Sequence, residues 1–182
     1  MSRYLPRHGW DVTVLTASAT LRTLKDPGLA AEIPASVAVL RARSIEPRNA
    51  WIALGKLGMG GVARAIEPWF LIPDDQRGWA PFATRRALRL HELRPFDAVV
   101  ATAGPYSTLL VGQALKRRAG IPFVADFRDE WTTNPYLAAR YPTSWHRSYN
   151  RALEASVLKD ADRVVSVSRP WLDAIRGLAP DE

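Results

Sequence analysis

The chain contains no cysteine. That absence excludes a disulfide framework and any thiolate-bound metal, and it fits a reducing compartment. Its histidines, His8, His91 and His146, stand far apart, so the sequence suggests no histidine metal cluster. Lysine is scarce: Lys25, Lys56, Lys116 and Lys159 are its only representatives, and arginine dominates the formal net charge of +7. No apolar run reaches the roughly 18 residues of a membrane-spanning helix. The opening Met-Ser-Arg-Tyr-Leu-Pro-Arg-His-Gly lacks the apolar core of a signal peptide. No Walker A loop, GxGxxG turn or GxSxG elbow is present, so P-loop, ordinary dinucleotide and esterase chemistries lack their signatures. No helix-turn-helix, zinc-finger or RNA-sheet signature is present either, and the basic residues are scattered rather than blocked. A nucleic-acid partner is therefore not expected.

What is present suits one domain: 182 residues, 47% hydrophobic, enough to bury a real core. Arginine favours bidentate contacts to phosphate and carboxylate, which fits phosphorylated substrates or an anionic membrane face. Residues 2–8 read as the tail of a helix whose beginning lies outside the chain, stopped at Gly9. Strands are predicted at 10–16, 37–42, 96–102, 121–125 and 162–168, where β-branched and apolar residues run together. Residues 17–36 are polar and broken, with one helical turn near 29–32. Helices are predicted at 81–93, 108–118 and 143–158, and a last one opens at Arg169-Pro170-Trp171. Short crossovers between apolar strands imply an α/β fold, an open parallel sheet with helices on both faces. The segment 96–102, apolar almost throughout, reads as a central strand covered on both faces. Residues 44–79 are the irregular part, because Gly55, Gly58, Gly60 and Gly61 argue against a stable helix. Its Trp51, Trp69, Phe70, Leu71 and Ile72 make it either a connection lying on its own domain or a partly exposed flap for a membrane or an acceptor.

The chemistry concentrates in Asp126-Phe127-Arg128-Asp129-Glu130-Trp131, directly after a buried strand. An open parallel sheet binds ligands beyond the carboxyl ends of its strands. Asp126, Arg128 and Asp129 are then either a surface ion-pair knot or the working edge. On the second reading Asp126 or Asp129 acts as general base toward a hydroxyl, and Arg128 holds a phosphate or fixes a carboxylate. Two further strand-to-helix turns should reach the same edge, 102–107 and 166–171. The first offers Gly104, Pro105, Tyr106 and Ser107, with free N–H groups suited to an anion. Ser107 and Ser168 each read first as helix N-caps, a role that does not exclude a ligand contact.

Several phrases carry a resemblance. Tyr4-Leu5-Pro6-Arg7-His8-Gly9-Trp10-Asp11-Val12-Thr13-Val14-Leu15-Thr16 resembles the first helix end and second strand of family 4 glycosyltransferases. Pro73-Asp74-Asp75-Gln76-Arg77-Gly78-Trp79 and Ala103-Gly104-Pro105-Tyr106-Ser107 are similar to phrases of one bacterial branch. Pro122 through Trp131 resembles its P-x-V-x-D-x-R-D-x-W, and Asp162 through Ser168 its last strand before the second domain. The resemblance covers nearly the whole chain in order. It implies the Rossmann-like N-terminal half of a GT-B fold, a single acceptor-side domain over 1–182 with its first strand missing. It also implies a retaining transferase, with a nucleotide-sugar as co-substrate bound mainly by a donor domain absent from these residues, no cofactor and no metal. Many relatives carry a histidine near the position of Arg128.

The expected catalytic residues are thus Asp126, Arg128 and Asp129. Gly104, Tyr106, Ser107, Trp131 and Ser168 are expected to bind substrate, a glycan or lipid-linked acceptor from a polysaccharide or glycolipid pathway. The expected setting is the cytoplasm, with peripheral contact at the inner face of the plasma membrane as an option. The fragment alone should be inactive. The alternative is a non-catalytic binding or split-subunit module that needs a partner chain.

Overall fold

The computed structural model describes residues 2–18, 28, 31–45, 54–134, 140–141 and 143–178. The expected turn near 29–32, Trp51 and the final Ala-Pro-Asp-Glu fall wholly or partly outside them. Among these described residues five strands form, β1 (Thr13–Ala17), β2 (Ala38–Ala42), β3 (Val99–Thr102), β4 (Phe123–Phe127) and β5 (Arg163–Ser166). Every pairing is parallel. The helices are α1 (Gly60–Phe70), α2 (Ala80–Leu93), α3 (Ser107–Ala119), α4 (Ser144–Asp160) and α5 (Arg169–Arg176). A short 3-10 turn, Leu5–His8, ends as expected at Gly9, whose φ of 80° places it in the left-handed region. The architecture is Rossmann-like α/β, with the strands in open parallel sheets.

Among the described residues the strands fall into two sheets, a pair β1-β2 and a trio ordered β3-β4-β5. The middle of the trio is β4. Its Phe123, Ala125 and Phe127 are wholly buried and alternate onto the face covered by Leu109 of α3 and Val157 of α4. β3 was expected to be central and covered on both faces. It is instead an edge of the trio, and Val100, on the opposite face from Ala101, remains 42% exposed. Val165 of β5 shares that outer face and is 47% exposed.

Helix α3 joins the two cores. One stripe packs Leu109 into the cluster with Phe123 and Phe127. The next sends Val111 and Leu115 into a second cluster with Ala83 and Ala87 of α2, Trp79 and Ala42. The close approach of α3 to β4 is made by Gly112: a Cβ there would stand 2.3 Å from the Phe123 ring. Gln113, Ser156 and Asp160 tie α3 to α4, with the Gln113 amide donating to both partners at 2.7 Å.

The segment 44–79 departs from expectation, since it contains α1. The glycines do not interrupt it. Gly60 and Gly61 occupy its first turn, where backbone groups lack intrahelical partners anyway, and Gly58 lies before it at φ 77°. After α1 the chain dives inward: Leu71, Ile72, Asp74 and Trp79 are buried. The hydroxyl of Tyr141 lies 2.7 Å from the carbonyl oxygens of both Leu71 and Pro73 and donates its one proton between them.

Gly112→Ala should destabilise the fold. Overpacking against a ring that cannot move costs about 1–3 kcal/mol, against a gain of about 1 kcal/mol in helix propensity. Urea unfolding of the two proteins checks this, and a more stable variant would contradict the packing described.

Candidate functional site

Parallel register brings the carboxyl ends of β3, β4 and β5 to one edge: Thr102 pairs with Asp126, and Phe127 with Ser166. β4 runs two residues further than expected, so Asp126 is a strand residue and not the start of a turn. Its side chain lies on the face opposite Ala125 and Phe127, accepts from Thr102 Oγ1 at 3.1 Å and faces Arg128 Nε at 3.4 Å. It is 5% exposed.

The turns after β3 and β4 meet. The Ala103 N–H donates to the Asp126 carbonyl at 2.7 Å. Tyr106 stacks on Trp131 with ring centroids 5.0 Å apart, and its hydroxyl donates to the Glu130 carbonyl. Burial, reinforced by nearby carboxylates, pushes the Tyr106 phenol up to about 12 against the hydrogen bond from Asn134. Gly104 sits at φ 83°, and a Cβ on it would come 3.1 Å from Asp129 Oδ2. The backbone angle favours glycine there, and an added Cβ would press on the carboxylate beside it.

The predicted residues therefore divide. Gly104, Arg128 and Asp129 are exposed and form a small rim with charge of both signs. Tyr106, Ser107 and Trp131 lie beneath it; Trp131 is wholly buried and donates its indole N–H to Asn150 Oδ1 at 3.1 Å. Ser168 does serve as an N-cap, accepting from the Trp171 N–H at 3.4 Å. Ser107 does not: the N-cap of α3 is Tyr106, and no side chain of the turn itself caps the helix.

Asp74 does that work from a distant segment. Its carboxylate accepts from the Ser107 N–H at 2.8 Å, the Ser107 hydroxyl at 2.7 Å and the Gln76 N–H at 2.9 Å. The helix terminus that the sequence offered to a ligand anion thus holds the protein's own. Burial pushes the Asp74 carboxyl above its ordinary range, more than its hydrogen bonds to Ser107 and Gln76 pull it down. No local sequence signal marks Asp74 for this role, because its partner lies over thirty positions away.

A second buried acid, Glu154 of α4, was also missed. It accepts from the Thr132 N–H at 3.2 Å and from the Thr132 hydroxyl, and desolvation pushes it up. Beside Thr132 opens a cavity of about 260 Å³ lined by Tyr141, Ser144, Arg147, Ser148 and Arg151, which periodicity alone did not mark. Among the described residues no three His, Asp or Glu side chains converge to hold a metal ion.

Compared with family models, residues 1–182 match the glycosyl transferase 4-like domain over their whole length. The chain belongs to that family. Comparison with curated proteins and with solved structures gives no match. A glycosyl transferase 4-like domain with parallel open sheets corresponds to half of a GT-B fold. Its Gly104, Arg128 and Asp129 then stand at the carboxyl edge, where an open α/β sheet receives ligands. No described helix is long and apolar enough to cross a membrane.

The two raised carboxyls set a pH dependence. The folded chain holds the Glu154 proton more tightly than the unfolded chain does. That stabilisation is complete below the ordinary carboxylate pKa and is lost as pH rises through the raised value. Glu154→Gln removes this share, so from about pH 4 upward its unfolding free energy should fall less steeply than the wild type's. Denaturant curves at a series of pH values read the slope, and equal slopes would contradict the assignment.

Proposed function

We propose that residues 1–182 form the acceptor-side half of a retaining glycosyltransferase, which moves a sugar from a nucleotide-sugar to a glycan or glycolipid acceptor. The observation that carries this reading is the exposed pair Arg128 and Asp129 beside Gly104, at the carboxyl edge of a glycosyl transferase 4-like chain. Asp129 is the more accessible base, because Asp126 is covered by Thr102 and Arg128. In this reading an acceptor hydroxyl hydrogen-bonds to Asp129 and passes its proton there. Its oxygen bonds to the anomeric carbon on the face from which the nucleoside diphosphate departs, as that bond breaks, so the configuration is retained. The departing diphosphate keeps the electron pair. Asp126 holds Arg128 in place, and the guanidinium faces the developing negative charge.

The nucleotide-sugar is a co-substrate and no cofactor is required. A donor domain outside these residues supplies most of its binding, so residues 1–182 by themselves catalyse no transfer. The setting is cytoplasmic, and the pathway builds a surface polysaccharide or glycolipid.

Calorimetry of the chain with a panel of free and lipid-linked glycans tests the reading. One of them should bind, and Asp129→Ala should weaken it by about tenfold, the equivalent of one charge-assisted hydrogen bond. Acceptor affinity unchanged in that variant would remove Asp129 from the site.

A further inference from the structure

One face of the molecule joins an uncovered apolar surface to an arginine-lined cavity. Helix α1 carries Val62, Ile66, Trp69 and Phe70 on one side, each more than a third exposed, and Leu57 and Met59 extend the stripe. Trp69 is 52% exposed and Phe70 63%, although phenylalanine is among the most buried side chains and tryptophan is highly buried on average. Exposed apolar area gathered in this way marks an interaction surface. Trp69 stacks on Trp145 of α4 at 5.2 Å, and Trp145 on Tyr149 at 5.3 Å. Trp145 is itself half-exposed.

The neighbouring stripe of α4 is polar and positive. Ser144, Arg147, Ser148 and Arg151 follow at helical spacing and, with Thr132, line the cavity of about 260 Å³. That volume is below the range of drug-sized pockets and suits a small anionic group. Two guanidiniums with hydroxyls between them offer the donor set a phosphate takes. The Arg147 guanidinium lies 3.5 Å from the Tyr141 carbonyl oxygen, which holds the arginine at the cavity. Glu154, buried on Thr132, lies beside Arg151, and Glu67 of α1 pairs with Arg140 at 3.8 Å. Aromatic rings at an interface, apolar residues below and arginines beside them form the pattern of a surface that lies on an anionic bilayer.

We propose that this face docks on anionic phospholipid, with Trp69, Phe70 and Trp145 entering the interface and Arg147 and Arg151 holding a headgroup phosphate in the cavity. The docking goes beyond sugar transfer and is tested without it, so either reading can fail alone.

The test is co-sedimentation of the whole chain with vesicles of phosphatidylcholine alone or mixed with phosphatidylglycerol. The wild type should bind the mixed vesicles, less so as salt is raised, and the neutral ones weakly. Arg147→Gln and Arg151→Gln should each lower binding by about fivefold. Trp69→Ser with Phe70→Ser should lower it several-fold while circular dichroism shows the chain still folded. Equal binding to both vesicles, or full binding by the arginine variants, would overturn the proposal. Full displacement by inorganic phosphate at matched ionic strength would do so too, since the cavity would then be a free-phosphate site. Should a variant fail to fold, brominated phosphatidylglycerol decides on the wild type: quenched tryptophan emission supports docking, and unquenched emission ends it.

Discussion

The rim depends on one carboxylate. Asp74 reaches from the segment behind α1 to the first residue of α3 and accepts both the amide and the hydroxyl of Ser107. Three donors around a buried acid fix the direction in which α3 leaves the sheet. The turn before α3 is thereby held between two anchors, Asp74 at its end and the Asp126 carbonyl at its beginning. Gly104 lies between them and can do little but project at the edge. A carboxylate in that position also complements the positive end of α3, so a ligand anion there would meet a charge of its own sign.

The same economy explains why the charged cluster after β4 is only partly exposed. The strand alternation that buries Phe123, Ala125 and Phe127 turns Asp126 to the other face, against Thr102. Trp131 closes the cluster by inserting under Tyr106 and donating to Asn150. What remains outside is Arg128 and Asp129, two opposite charges on a short tether. Asp126 with Arg128 forms an ion pair, as one reading of the cluster expected, and Asp129 faces outward at the edge.

Much of this was legible in the sequence. The five strands and the helices after residue 80 were visible in apolar runs, Gly9 as a left-handed stop and Ser168 as a cap. The parallel order by itself places the 102–107 and 126–131 turns together. Three things were not legible, for a shared reason. The caps of α3 come from Asp74, the partner of Trp131 is Asn150, and Glu154 answers Thr132. Each is a pairing between distant segments, invisible to periodicity. Helix α1 was missed because glycines were counted without regard to position; at a helix start they cost far less than in its interior. The central place given to β3 rested on its composition, and composition does not report which strand lies alongside.

Among the described residues no backbone hydrogen bond links the β1-β2 pair to the β3-β4-β5 trio. The two are coupled through side chains, chiefly Ala83, Ala87 and Trp79 meeting Ala42 on one side and Leu115 on the other. Side-chain contact is a softer coupling than a continuous ladder. The pair can open as a unit of its own while the trio stays closed, and its amide protons would then be traded with solvent well before those of Phe123 and Ala125.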